Sequence, residues 1–412
     1  MRKIRCEHII PLVISFYIYP RIANSNFVTE LIFSNRGESM EKAGKIISGA
    51  VCWLIAAAAG VLGFYYAVLP GELSAPTGGS VQGRICGAEI IQYDGGYGYA
   101  VGAMKIKPVS LNSTSRRMLI PGGEPFGIKL RTQGVMVISV NCGSPADKAG
   151  IKSGDIISQV NGIPVHTNSE IAAAVQLDRE KSVVILKRGS GEMCVTAMPE
   201  RSGDDMQIGA WVRDSAAGIG TMTFYDPLSG MFGGLGHPVS DVTTGELMPL
   251  ASGEITSAEI FSVIRGQKGE AGELCGELCP EVTGRLSDNT PVGVFGVPVD
   301  VPEAEAIPVA FRQEVKCGPA VILTTINGSE PQEYSIEIEK INLCALNGTK
   351  SMVIRVTDQR LLESSGGIVK GMSGSPIIQD GMLAGAVTHV FLNDPTRGYA
   401  VFAESMLEEM ES

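Results

Sequence analysis

The sequence predicts a mainly β protein tethered by one N-terminal membrane helix. Three observations carry that expectation. The chain holds 51 glycines in 412 residues, and long helical periodicity is scarce. From about Ser202 to the C-terminus, short β-branched runs alternate with glycine turns. Ile46 to Leu69 is an apolar stretch without a single charge.

The elements follow in chain order. Ile9 to Tyr19 is apolar but too short to span a bilayer and contains Pro11. Met40, followed by Glu41 and Lys42, reads as the natural start, which leaves residues 1–39 as an N-terminal extension. Residues 46–69 at about 1.5 Å per residue cross a hydrocarbon core of about 30 Å. Lys42 and Lys45 precede this run and Glu72 follows it, so the N-terminus is expected in the cytoplasm and the remainder outside. The run is long for a signal peptide and no small-x-small cleavage site follows it, which favours a retained anchor. Gly71 to Gly83 is rich in Gly, Ser and Pro and reads as a linker. Residues 71–119 as a whole are expected to be linker and lead-in.

Gly134-Val-Met-Val-Ile-Ser-Val140 then reads as a strand. Ser144-Pro-Ala-Asp-Lys-Ala-Gly-Ile-Lys-Ser-Gly-Asp-Ile-Ile157 supplies a short helical turn and a second strand, and Asn161-Gly162 a tight hairpin. Asn168 is placed to cap a helix over about 169–176, and Val183 to Lys187 closes the unit. This succession resembles a PDZ domain, assigned here to residues 120–200. PDZ domains take an extended peptide onto an open sheet edge. On that resemblance the cradle for the peptide end falls on Phe126, Gly127 and Ile128. From 201 to 412 the strand spacing suggests a barrel or a pair of barrels. Its clearest strands are Ile219–Phe224, Val292–Val297, Ala320–Leu323, Tyr334–Glu339 and Ser351–Val356.

Composition narrows the function classes. Hydrophobic residues make up 44% and charged residues 19%, enough for a packed core. The net charge of −11, with no basic stripe interleaved with aromatics, argues against nucleic acid as a partner. Of nine cysteines, Cys86, Cys142, Cys194, Cys275, Cys279, Cys317 and Cys344 follow the anchor, an odd number. Cys275 and Cys279 form a lone C-x₃-C pair with no second pair and no nearby histidine, so no metal site is expected.

The chemistry concentrates in Gly371-Met-Ser-Gly-Ser-Pro376, of the form G-x-S-G-x-P. Flanking glycines let the backbone adopt positive φ and approach an acyl group closely. Ser373 is the candidate nucleophile, and the N–H groups of Gly371 and Ser373 are candidates to stabilise an oxyanion. A serine needs a base, and the chain has four histidines: His8, His166, His237 and His389. His8 precedes the anchor and His166 lies in the peptide-binding module. His237, in the glycine-dense turn Phe232-Gly-Gly-Leu-Gly-His237, is favoured over His389, which sits in a strand-like run. Asp358 and Asp241 both qualify as the group that orients the imidazole, and spacing alone leaves the two open.

An anchor, a PDZ-like unit and a C-terminal region carrying Gly234-Leu-Gly-His-Pro-Val-Ser-Asp241 and Gly371-Met-Ser-Gly-Ser-Pro376 together resemble the SpoIVB-type serine peptidases of spore-forming bacteria. The resemblance runs from Met40 to the C-terminus and is most specific over Thr357 to Tyr399. It implies a chymotrypsin-like double β-barrel with the triad His237, Asp358 and Ser373 and no cofactor. It also implies a setting: the space between the two membranes around the developing spore. There the enzyme would cut a membrane-bound regulator, release an intramembrane protease and so activate the late mother-cell sigma factor. Self-cleavage, with the PDZ unit recognising a segment of the chain itself, is implied as well. His389 would border the specificity pocket.

Two other peptidase classes fit poorly. A Ser–Lys peptidase needs a lysine base, and none follows Lys370. A site-two metalloprotease needs H-E-x-x-H, which is absent. The remaining alternative is an anchored PDZ adaptor with a degenerate peptidase domain.

Overall fold

The computed structural model describes residues 38–77, 81, 83–85, 87–93, 95–342 and 348–412. The expected extension over 1–39 therefore lies almost wholly outside the described residues. The first unit is helix α1 (Glu38–Val68), in which Ser48–Val68 is long and apolar enough to cross a membrane. Its apolar side chains are exposed along the unit, Trp53 by 79%.

The second unit, Leu69–Ser412, begins with a sheet where a linker was expected. Strands β1 (Glu72–Pro76), β2 (Arg84–Ile85), β3 (Ala88–Tyr93), β4 (Gly96–Val101) and β5 (Met104–Thr114) run in the order β1-β5-β4-β3-β2. The physical reason is a period-2 burial that the small and turn-forming residues disguise: Leu73 and Ala75 point inward from β1, and Tyr99 is fully buried.

Six strands then close a first barrel. They are β7 (Pro125–Val140), β14 (Ala210–Asp226), β15 (Met231–Gly234), β16 (Leu250–Ile264), β17 (Glu273–Thr290) and β18 (Gly293–Pro298). Pairing runs β7-β16-β17-β18-β15-β14 and returns to β7. Phe126, Leu130, Met222, Phe232, Ile255 and Val294 fill the interior. Strands β6 (Met118–Pro121) and β19 (Ile307–Pro308) extend the sheet beyond β14.

The PDZ-like module is inserted into this barrel and does not precede it. Residues 125–132 of β7 pair with β14 on one side and β16 on the other, whereas the later part of β7 stays paired with β14 and takes β8 (Ile156–Val160) in place of β16. The handover occurs at Gly134, φ 88°, where a Cβ would lie 2.6 Å from the Ile157 carbonyl oxygen. Only glycine fits there. The module continues through α2 (Pro145–Lys148), β9 (Ile163–Pro164), α3 (Asn168–Leu177), β10 (Ser182–Arg188) and β11 (Gly191–Ala197), around a core that includes Val137, Ile157, Val175 and Leu186. Asn161 and Gly162 take positive φ in the expected two-residue hairpin. Helix α3 is capped by Thr167 and not by Asn168: Thr167 and Glu170 form a reciprocal capping box. A small hairpin, β12 (Glu200–Ser202) with β13 (Asp205–Gln207), leads into β14.

The second barrel is closed in the order β20 (Gly318–Thr324), β21 (Gln332–Ile341), β22 (Met352–Val356), β25 (Asp394–Phe402), β24 (Met382–Phe391), β23 (Pro376–Gln379). Helix α4 (Gln359–Ser365) crosses between β22 and β23, and α5 (Ala403–Met410) ends the chain. The antiparallel registers put the C-terminal end of β22 and the N-terminal end of β23 at the same mouth of this barrel.

Candidate active site

The turn after β15 turns sharply because Leu235 and Gly236 both adopt φ 66°. A Cβ on Gly236 would stand 3.1 Å from Thr388 and 3.2 Å from Val401. The turn therefore lies tight against β24 and β25 and presents His237 at the contact between the two barrels. His237 is half-buried, and its Nδ1 is 2.8 Å from the Pro238 carbonyl oxygen. A carbonyl only accepts, so Nδ1 carries the hydrogen and Nε2 keeps its lone pair. Burial holds the pKa of His237 below the ordinary histidine value, against a smaller opposing effect of the Pro238 bond.

His389 lies beside it. The two ring centroids are 4.8 Å apart at 38°. Burial, then the neighbouring His237 and Lys350, push the His389 pKa down to about 4. At neutral pH both imidazoles are uncharged, the form a base requires.

The serine loop packs onto β14. Gly374 has φ 98°, and a Cβ there would lie 1.9 Å from the Thr221 carbonyl oxygen and 2.6 Å from the Leu235 nitrogen. The Thr221 amide donates to the Ser373 carbonyl (2.9 Å), Thr221 Oγ1 to the Gly371 carbonyl (2.7 Å) and Thr223 Oγ1 to the Gly374 carbonyl (2.8 Å). These bonds fix a loop with no regular structure of its own. Ser373 Oγ donates to the Thr388 carbonyl at 2.7 Å. The hydroxyl and the His237 ring thus converge on consecutive residues, Thr388 and His389. Among the described residues no hydrogen bond yet joins Ser373 to His237.

The amides of the loop divide in two. Those of Met372, Gly374 and Ser375 are taken by Val369, Val387 and Met372 carbonyls. Those of Gly371 and Ser373 donate to no protein acceptor among the described residues. Two free donors beside a serine are what a developing oxyanion needs.

The carboxylates are engaged elsewhere. Asp358 caps α4, accepting from the Arg360 amide at 2.9 Å, and pairs with the Arg360 guanidinium at 2.9 Å. Arg360 is the main cause of its pKa falling to about 2. Asp241 is buried, pairs with Arg213 and accepts from the Thr243 and Thr244 amides. Neither reaches His237 in this structure. Asp358 does share the mouth of the second barrel with the serine loop, as the registers require.

The cradle expected at Phe126, Gly127 and Ile128 is corrected by the fold. Phe126 and Ile128 are core residues, 2% and 4% exposed. Their stretch of β7 is paired on both sides, Gly127 with Ile219 and with Thr256. No amide is left there for a terminal carboxylate. The sequence reading also missed Thr221, Thr388 and Pro238, which act through main-chain contacts that no motif announces.

The SpoIVB peptidase S55 family matches residues 204–407, and a PDZ domain family matches residues 136–188. The peptidase region, residues 204–407, belongs to the SpoIVB peptidase S55 family. The S55 match spans the His237 turn and the Ser373 loop together. A putative serine protease, HhoB of Synechocystis, is 33% identical over 104 residues, covering 24% of this chain and 25% of that protein. Serine protease HTRA2 of Drosophila virilis is 32% identical over 83 residues, covering 18% and 20%. The chain thus spans about a quarter of the curated relatives it matches. Among solved structures, an inactive form of Rv3671c from M. tuberculosis aligns over 47% of this chain and 82% of that one, at 14% identity and TM-score 0.26.

Proposed function

We propose that this S55 family member is a membrane-anchored serine endopeptidase with Ser373 as nucleophile and His237 as base. The observation that supports this best is the meeting of hydroxyl and neutral imidazole on Thr388–His389, next to the two unused amides of Gly371 and Ser373. Ser373 Oγ attacks the carbonyl carbon of a peptide bond, and its proton passes to His237 Nε2. The carbonyl oxygen becomes an oxyanion held by the Gly371 and Ser373 amides. The imidazolium then gives the proton to the leaving amine as the C–N bond breaks, and water hydrolyses the acyl-enzyme by the same relay. In the resting site the Pro238 carbonyl holds the useful tautomer.

Two rearrangements separate this structure from that geometry. Ser373 Oγ must turn from the Thr388 carbonyl to His237. Asp358, the acid of the triad by family resemblance, must release Arg360 and the α4 amide before it can orient the ring. His389 lines the base side of the site and bears on which side chains a substrate places there. The substrate class follows the resemblance: a membrane-bound regulatory protein of spore formation, cut outside the cytoplasm to trigger intramembrane proteolysis and sigma factor activation. Residues 46–69 hold the enzyme at the forespore membrane, facing the intermembrane space. The PDZ module takes a peptide or a segment of the chain itself.

The test is labelling by a fluorophosphonate. The full chain is expected to label at Ser373, the Ser373→Ala variant not at all, and the His237→Ala variant at least about 100-fold more slowly, in line with loss of a general base. Equal labelling of all three would overturn the assignment. No labelling of the native chain would favour the adaptor reading.

A further inference from the structure

Strand β14 has a free edge that runs from the PDZ module to the catalytic serine. Over residues 210–220, β7 is its only strand partner among the described residues. At one end, the Asp214 carboxylate accepts from the Asn168 amide at the start of α3 (2.9 Å). At the other, the Thr221 amide donates to the Ser373 carbonyl and the Thr221 carbonyl accepts from the Leu235 amide. The next amide, Met222, points back toward Glu124 at the head of β7. Thr221 therefore turns both polar groups away from β7. In a strand, residues two apart share an edge, so Ile219 and Ala217 turn their N–H and C=O groups the same way. Ser373 already holds the partner position at Thr221, and the positions before it are open.

This edge carries none of the usual guards. Soluble proteins blunt free strands with lysine, proline or a cover. Here the sequence is Ser215-Ala-Ala-Gly-Ile219, uncharged and small. Ser215, Ala217 and Gly218 are exposed, and a Cβ on Gly218 would meet nothing within 4 Å. From Asp214 to Thr221 the edge is about 24 Å long at about 3.4 Å per residue, enough for an extended segment to touch α3 and the serine loop together.

We propose that an extended segment of the protein substrate adds as a strand to β14 at Ala217 and Ile219, and that this one strand carries it from the PDZ module to Ser373. Continuity with the serine loop identifies the occupant as substrate. The inference deepens the peptidase reading and rests on it for the meaning of the edge's far end. Recognition would be by main chain, so sequence selectivity comes from the side chains flanking the edge and not from the ladder itself.

The test uses the full chain carrying Ser373→Ala, with β-casein as an unstructured probe. Hydrogen exchange at the Ala217 and Ile219 amides is expected to slow at least about tenfold on adding the probe, as a new ladder bond protects them. Unchanged exchange at both would overturn the proposal. In the same background Ala217→Pro, which deletes the outward N–H on an edge where proline is sterically tolerated, is expected to weaken β-casein binding at least about tenfold by anisotropy. Ala217→Val, which keeps the N–H, is expected to retain it; equal binding by the two variants would also overturn the proposal. If the proline variant does not fold, the exchange result stands alone. Neither measurement uses turnover, so an unlabelled Ser373 with a protected edge would sink the peptidase reading and leave the docking edge standing.

Discussion

The Thr221 amide and the Ser373 carbonyl share a hydrogen bond of 2.9 Å, which ties the first barrel to the nucleophile loop of the second. The bond is possible because Gly374, next in the chain, has no side chain. A Cβ there would sit 1.9 Å from the Thr221 oxygen at φ 98°. Gly374→Ala is expected to cost several kcal/mol, strain at such a backbone angle alone amounting to about 1–3 kcal/mol, and to abolish fluorophosphonate labelling. Gly381→Ala is the comparison: its φ is 75° but nothing lies within 4 Å, so only the backbone cost of about 1 kcal/mol is expected. Thermal unfolding and labelling of the two variants check this.

The two imidazoles set the pH dependence. His237 accepts a proton only when neutral, and its pKa is held below the usual value of 6.5. Labelling at Ser373 is expected to persist to lower pH than an ordinary histidine base would allow, its midpoint lying below 6.5. Stability moves in the same direction. The unfolded chain protonates His389 near 6.5 while the folded chain resists until about 4. Between those values the unfolded state binds more protons, so stability falls as pH drops through that window. Denaturant midpoints across pH 4–7, for the native chain and His389→Ala, are expected to show a smaller loss in the variant.

The two aspartates separate by what their loss does. Asp358 pairs with an Arg360 that is 63% exposed, an interaction worth no more than about 1 kcal/mol. Asp358→Asn is expected to leave unfolding nearly unchanged while slowing labelling at least about 100-fold, as removal of an orienting acid does. Asp241 is itself buried, accepting from two amides and pairing with an Arg213 whose side chain is 36% exposed. Asp241→Asn is expected to destabilise by about 1–3 kcal/mol through its weakened buried hydrogen bonds, with any loss of labelling following the loss of fold. The pair is read by kinetics and unfolding on the same samples.

The insertion of the PDZ module predicts a coupling that a tandem arrangement would lack. Phe126 lies before the module in the chain yet packs in the first barrel with Phe232, ring centroids 6.5 Å apart. Phe126→Ala is expected to cost about 3–5 kcal/mol and to lower the melting of the peptidase region. Residues 201–412 expressed without β7 are expected not to fold. Circular dichroism melts of the two proteins test both statements.

The sequence by itself determined the local and covalent features. An uncharged run long enough to span fixes α1, because burial of apolar length depends on nothing else in the chain. Asn161-Gly162 fixes its hairpin, since few other pairs tolerate those angles. The glycines around Ser373 and His237 announce two turns of special geometry. Tertiary structure alone decided which partners those turns meet. The pairing of residues 125–132 with β14 on one side, Pro125 with Thr221, and with the still later β16 on the other, Phe126 with Ser257, the engagement of Asp358 by Arg360, and the seating of Ser373 on Thr221 all depend on contacts between segments distant in sequence. β1 to β5 escaped notice because their alternation is carried by small and polar residues as much as by apolar ones. A period-2 pattern shows which residues can face a core; only the closing of the barrel fixes which strand lies beside which, because pairing energy is shared among backbones that carry no sequence of their own.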